Sequence, residues 1–193
     1  MENKIRSVFK ESIRVKEKTS REQVEVIVEI TRLIIGSLKN GGKVLLCGNG
    51  GSAADCQHIA CEFIGRFKKD KKPLPAIALS TDTSVLTSLA NDYSYELVFA
   101  KQLSGLGKKD DILIAISTSG MAPNIIKAVK TAKDLGLKTA AFTGKDGGKL
   151  AALADIAFIV PSHDTPRIQE THITAAHAIC EIAEEALYKI DTT

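Results

Sequence analysis

The chain has 193 residues, 44% of them hydrophobic, 25% charged and 5% aromatic, with a formal net charge of +3. That length suits one domain spanning residues 1–193, and the composition excludes a disordered or fibrous chain. No apolar run is long enough to cross a bilayer and the small positive charge is dispersed, so neither a membrane nor nucleic acid is expected as a partner.

Two amphipathic helices open the chain, Ile5 to Lys18 and Arg21 to Lys39, the second carrying Val24, Ile27, Val28, Leu33 and Ile34 before Gly41-Gly42 ends it. Together residues 1–40 form an N-terminal helical extension. The charged stretch Met1 to Lys18 lacks the apolar core and cleavage pattern of a secretory signal, which places the protein in the cytoplasm as an expectation. Strands and helices then alternate. The expected strands are Val44 to Cys47, Ala76 to Leu79, Ile112 to Ile116, Thr139 to Phe142 and Ile156 to Val160. Between them fall helical patterns at Ala53 to Gly65, Thr83 to Leu89, Pro123 to Leu135 and Gly148 to Leu153, and a long helix from Arg167 to Tyr188 closes the chain. Short continuous apolar strands suit a parallel sheet covered on both faces, so the fold class is α/β, a doubly wound five-stranded parallel sheet with N-terminal helical additions. The opening helix has no sheet partner in this pattern, and another subunit is its expected neighbour. The most basic run, Arg66 to Lys72, reads as a solvated loop. Cys47, Cys56, Cys61 and Cys180 show no paired Cys-x-x-Cys pattern and read as reduced core residues, Cys61 included.

In a doubly wound sheet ligands bind beyond the carboxyl ends of the strands. Three loops there carry polar or glycine-rich residues: Gly48-Asn49-Gly50-Gly51-Ser52, Ser80 to Thr83 with Asn91-Asp92 further on, and Ser117-Thr118-Ser119-Gly120. The last offers hydroxyls and amides ahead of a helix N-terminus, where an anion such as phosphate is favoured; the alternative is a Ser/Thr helix cap and turn. Gly48-x-Gly50-x-x-Ala53 matches the spacing of a dinucleotide fingerprint, but the acidic residue expected after the second strand is missing, Asp82 coming late and reading as a helix cap. No Gly-Lys-Ser/Thr ending exists for a Walker loop.

His58 and Glu62 stand four apart on one helix face and could reach a common metal ion. On the last helix Gln169 and His177 lie about 80° apart around the axis and roughly 12 Å apart along it, so both can face one crevice. His172 points about 140° away from His177 and reads as a packing or surface residue, and His163 as a turn residue.

Taken together, Gly48 to Asp55, Gln57-His58, Glu62, Asn91-Asp92, Ser117 to Gly120 and Arg167-Ile168-Gln169-Glu170 with His177 resemble the phosphoheptose isomerases of the sugar isomerase (SIS) domain family, over nearly the whole chain. The resemblance implies a flavodoxin-like SIS domain that converts sedoheptulose 7-phosphate to D-glycero-D-manno-heptose 7-phosphate for activated heptoses. It implies one zinc per subunit on His58, Glu62, Gln169 and His177, with Glu62 and His177 as the proton-transfer pair. The implied substrate contacts are Asn49, Gly50, Gly51, Ser52, Glu62, Asn91, Asp92, Ser117, Thr118, Ser119 and Gln169. It further implies a homotetramer with sites between subunits. The family often places a serine two residues after the glycine of Ser-Thr-Ser-Gly, where this chain has Ala122, so one hydroxyl donor to phosphate is missing. Two alternatives stay open at this point: a non-catalytic sugar-phosphate-binding regulator on the same fold, which would not need His58, Glu62, Gln169 and His177 together, and another sugar-phosphate isomerase or etherase.

Overall fold

The computed structural model describes residues 1–68 and 70–188; Lys69 of the basic run and the last five residues of the expected 1–193 domain lie outside the described residues. Two helices, α1 (Glu2–Glu22) and α2 (Val24–Lys39), precede a five-stranded sheet of β1 (Val44–Gly48), β2 (Ala76–Ala78), β3 (Ile112–Ile116), β4 (Lys138–Gly144) and β5 (Ile156–Val160). All four strand pairings are parallel, in the order β2-β1-β3-β4-β5. The crossovers are α3 (Gly51–Ile64), α4 (Thr83–Asp92), α5 (Val98–Leu106), α6 (Pro123–Asp134) and α7 (Gly148–Leu153), and α8 (Thr165–Leu187) ends the described chain.

The inner strands β1, β3 and β4 are buried on both faces because alternate residues feed two cores, while the edge strands β2 and β5 are part-exposed. Val44, Leu46, Ile112, Ile114, Ile116 and Phe142 pack with Ile30 and Ile34 of α2, Ile59 and Phe63 of α3 and Ile168 and Ile179 of α8. Leu45, Cys47, Leu113, Ala115 and Ala141 meet Phe99 and Leu103 of α5, Ile125 and Val129 of α6 and Leu150 of α7 on the other face. The period of two in the strands thus sends α3 and α8 to the same side, side by side.

Several expectations are corrected. Arg21, read as the start of the second helix, lies in α1, and α2 begins at Val24. The stretch before β3 holds α5 and a 3-10 turn, Tyr95–Leu97, that the sequence reading passed over. α5 has nine residues, no side-chain cap and Gly105 in its last turn, so only burial of Val98, Phe99, Ala100 and Leu103 reveals it. Cys61 is exposed, unlike Cys47, Cys56 and Cys180, because α3 buries its opposite face. The basic run is not wholly solvated: the Lys71 side chain is 2% exposed. Asp82 does cap α4, accepting from Val85 N at 3.0 Å. His163 is exposed.

His172 is fully buried between the rings of Phe142 and Phe158. Its Nε2 lies 2.9 Å from the Thr143 carbonyl, which can only accept, so the proton sits on Nε2 and the buried Nδ1 faces no partner among the described residues. Burial holds its pKa down at about 4, although the Thr143 bond opposes the shift. The neutral ring is therefore favoured in the fold. Stability from this residue is complete above about pH 6.5 and drains as pH falls towards 4, by about 3 kcal/mol in all. Urea midpoints measured from pH 7 to 4.5 are expected to fall further in the wild type than in His172→Leu; equal losses would show that the ring does not titrate this way.

Candidate functional site

β1 connects to β2 on one side while its other neighbour is β3, so the switch in strand order lies between β1 and β3. A crevice opens at that point beyond the carboxyl ends. It is here that the Gly48 to Ser52 turn and the Ser117 to Gly120 turn meet, since Gly48 of β1 pairs with Ile116 of β3. Gly50 is the N-cap of α3, with φ 54°.

α3 and α8 bring together three of the four expected metal-type residues. His58 Nε2 lies 2.8 Å from His177 Nε2 and 3.4 Å from Glu62 Oε1, and ligand atoms of all three lie within 4.8 Å of one another. Two imidazole lone pairs cannot face each other at that distance without a proton or a cation between them. The donor set of two histidines and a carboxylate is one that zinc takes in catalytic sites. Glu62 is 17% exposed at its side chain and His58 49%, so the cluster opens to solvent on the His58 side. Phe67, from the loop after α3, stands 5.6 Å from His177 ring to ring.

Gln169 is placed one level away. Its amide fills the space over Gly51, where a Cβ would lie 2.5 Å from both Oε1 and Nε2, and the same side chain shares a groove with Asp55. The described contacts therefore set Gln169 at the first turns of α3 and His177 at the later ones, as the 12 Å rise between them requires. Burial pushes the Asp55 carboxyl up, against the opposing pull of Gln169 and of His58. Asp55 and Gln169 line a groove with Pro166, Glu170 and Ile173.

Asn49, Ser52, Ser117, Thr118 and Ser119 line a small cleft with Ile116 and Ala122. Of the cap-and-turn alternative for the serines, the cap fails, since α6 is capped by Ala122, which offers no side chain, while the turn holds: Ser119 Oγ accepts from Met121 N at 3.2 Å and Ser117 O from Gly120 N at 2.9 Å. Ser52 and Ser117 are buried. Asn91 and Asp92, at the end of α4, are exposed and joined by a 2.9 Å bond from Asn91 Nδ2 to Asp92 Oδ1. Among the described residues, no hydrogen bond or ion pair joins their side chains to the other site residues.

Asn124 and Tyr95 were not legible as site residues, yet both hold Asn49. Asn49 Nδ2 donates to Asn124 Oδ1 at 2.9 Å, Asn124 Nδ2 returns a bond to Asn49 Oδ1 at 2.8 Å, and Tyr95 Oη donates to that same oxygen at 3.1 Å. Asn124 Oδ1 also accepts from Ile125 N, which fixes the orientation of its amide and so of Asn49. Pro123-Asn124 opening a helix was the available signal. Gly147 and Gly148 were missed as well. Gly120 has φ +64, and a Cβ there would lie 2.0 Å from the Gly147 carbonyl oxygen; one on Gly148 would lie 2.7 Å from that of Ser119. Leu150 N closes the joint on Gly120 O at 3.0 Å. The start of α7 is thus packed backbone to backbone behind the serine loop.

Within Arg167-Ile168-Gln169-Glu170, Gln169 reaches Gly51 and Glu170 lines the groove beside it. Buried Arg167 donates through Nη1 to the Val8 carbonyl of α1 and pairs with Glu170, whose Oε2 accepts from Ser12 Oγ at 2.8 Å. The motif therefore ties α1 to α8.

A carboxylate and two imidazoles beside a cleft of hydroxyls and loop amides can move protons on a bound anion's carbon chain. Comparison with known proteins narrows the chemistry. Residues 8–144 match the SIS domain family model. The chain is 55% identical over 190 residues to the phosphoheptose isomerase of Thermodesulfovibrio yellowstonii, covering 98% of this chain and 94% of that one. It is 51% identical over 195 residues to the phosphoheptose isomerase of Clostridium acetobutylicum, covering 99% and 100%. The structure of phosphoheptose isomerase from Neisseria gonorrhoeae superposes with a TM-score of 0.91 at 44% identity, covering 95% of this chain and 98% of that one.

Proposed function

The chain belongs to the SIS domain family and, within it, to the phosphoheptose isomerases, and we propose that it converts sedoheptulose 7-phosphate to D-glycero-D-manno-heptose 7-phosphate, an entry step to activated heptoses. The observation that carries this reading is the convergence of His58, Glu62 and His177 beside the serine-lined cleft.

Moving a carbonyl from C2 to C1 requires a base to take a proton from C1 and return it to C2 through an enediolate. Glu62 is that base. Its Oε1 faces His58, leaving Oε2 for the proton. His177 moves the proton between O1 and O2, as an imidazole can near neutral pH. Ser117, Thr118, Ser119 and Ser52 hold the phosphate, and Asn49, Gly50 and Gly51 shape the sugar end. Gln169, Asn91 and Asp92 are further substrate contacts. His58, Glu62 and His177, with Gln169 turned from Gly51, would hold one zinc, whose role when bound is to polarise the carbonyl.

Assembly as a homotetramer fits the outer face of α1, where Ile5, Phe9 and Ile13 recur at helical spacing and stay 53%, 66% and 55% exposed. A monomer in solution scattering would rule that out. A cytoplasmic location is part of the same reading; among the described residues no helix is long and apolar enough to cross a membrane.

The deciding assay incubates purified protein with sedoheptulose 7-phosphate and follows aldose formation with and without chelator. Binding of sugar phosphates without turnover would instead favour a regulator. A smaller effect is expected at Ala122, at the lip of the cleft: Ala122→Ser restores a hydroxyl worth about 1.5–3 kcal/mol to a charged partner, so inhibition by inorganic phosphate tightens about 10- to 100-fold. If the hydroxyl caps α6 instead, the melting temperature rises while phosphate inhibition stays put.

A further inference from the structure

We propose that Lys71 is a positioning residue for the site, its buried ammonium clamping the last turn of α3, which carries Glu62, to α8, which carries His177. The inference rests on the reading of Glu62 and His177 given above.

α3 ends without the left-handed residue that commonly satisfies a helix C-terminus: Gly65 is extended, with φ −85° and ψ −157°. The last carbonyls of a helix have no partner within it and carry the negative end of its dipole. At the end of α3, Phe63 O accepts from Leu74 N at 3.0 Å, and Lys71 Nζ supplies the further partner. It donates to the carbonyls of Glu62 at 3.3 Å, Phe63 at 2.9 Å and Gly65 at 2.7 Å. Its countercharge is Glu184 Oε2 at 3.8 Å, and the two side chains are only 2% and 3% exposed. Glu184 lies seven residues, about two turns, beyond His177 on the same helix.

One ammonium therefore bonds to the backbone of the proposed base itself and faces the helix that presents its partner. The loop that delivers Lys71 also carries Phe67 against His177 and Lys68 paired with Glu181 of α8. Removing the charge leaves the α3 carbonyls and Glu184 buried with less compensation, and the easiest relief is for the end of α3 to draw away from α8. Misplacement of a reacting group by about 1 Å is enough to cost about a hundredfold in rate.

A second, part-buried ion pair serves as the control. Lys43 Nζ, on a side chain 19% exposed, meets Asp111 Oδ2 at 2.5 Å where β1 and β3 begin, at the opposite end of the sheet from the crevice. Lys71→Met and Lys43→Met both remove the ammonium of an ion pair with a buried carboxylate from the full chain. For each, the measurements are melting temperature, amide hydrogen exchange of residues 62–65, zinc retained against a chelator, and kcat and KM for sedoheptulose 7-phosphate.

Lys71→Met is expected to exchange those amides at least tenfold faster, to release zinc at about tenfold lower chelator concentration, and to lose at least tenfold in kcat with KM within about twofold. Lys43→Met is expected to melt earlier and to leave all of these at wild-type values. Should Lys71→Met fail to fold, Glu184→Gln is predicted to show the same pattern in milder form. Equal exchange and equal kcat in the Lys71 and Lys43 variants would overturn the proposal. If the wild type does not turn over the sugar at all, the isomerase reading fails, while the exchange comparison still decides the clamp.

Discussion

Glu62→Gln is expected to lower kcat for sedoheptulose 7-phosphate by about 10²- to 10⁴-fold, the range a positioned general base contributes. The amide is isosteric, and a side chain 17% exposed beside His58 needs no repacking to accept it, so the melting temperature should stay close to wild type. Loss of base strength and loss of a metal ligand are separable. If zinc in excess restores turnover, Glu62 acts as a ligand alone and the base assignment is wrong. The sharper readout is isotopic. In deuterated water the wild type should carry solvent deuterium to C2 of the product, and the variant should leave the C1 proton of the substrate unexchanged. His177→Ala is expected to keep that C1 exchange while losing most turnover, because it removes the shuttle between oxygens and not the carbon base. The 2.8 Å approach of His58 to His177 makes the same variant lose zinc more readily.

The sheet was legible in the chain because each strand is a short apolar run, the inner ones buried on both faces, so that periodicity of any kind was unnecessary. His58 and Glu62 were legible for a different reason: their spacing alone puts them on one helix face. The pairing with His177 could not follow from spacing, since it depends on α3 and α8 lying on the same side of the sheet. Resemblance supplied what geometry had left open there. What escaped were residues whose importance lies in backbone contacts. Gly147 and Gly148 looked like an ordinary turn before a helix, and Asn124 like a polar first-turn residue. Lys71 sat in a run of five cations broken by Phe67 and Asp70 that reads as solvated, and the carbonyl end of α3 with Glu184 draws it inward. Gln169 shows the reverse case. Its position on the helix let it face the crevice, and the structure places its amide against Gly51, in one groove with Asp55.

Gly120→Ala carries the second large effect, and it tests the phosphate loop independently of the proton-transfer residues. The new Cβ would stand 2.0 Å from the Gly147 oxygen and 2.6 Å from its carbon, both backbone atoms that no rotamer change can move. Relief requires more than an ångström of displacement, shared between the serine loop and the start of α7. Holding a non-glycine residue at φ +64 adds about 1–2 kcal/mol of its own. Each hydrogen bond to a charged phosphate that the displaced loop loses is worth about 1.5–3 kcal/mol, so two lost bonds raise KM by roughly 10²- to 10⁴-fold. kcat should fall much less, because Glu62 and His177 stand on α3 and α8 rather than on this loop. Gly136→Ala separates the two contributions. Gly136 has φ +77 with nothing within 4 Å of a Cβ, so that variant bears the backbone strain without the collision. It should melt earlier and bind the sugar phosphate as the wild type does. A Gly120→Ala protein that also melts earlier but keeps its KM would mean that Ser117, Thr118 and Ser119 do not hold the phosphate, and the anion would then have to sit against the Gly50 to Ser52 turn at the start of α3.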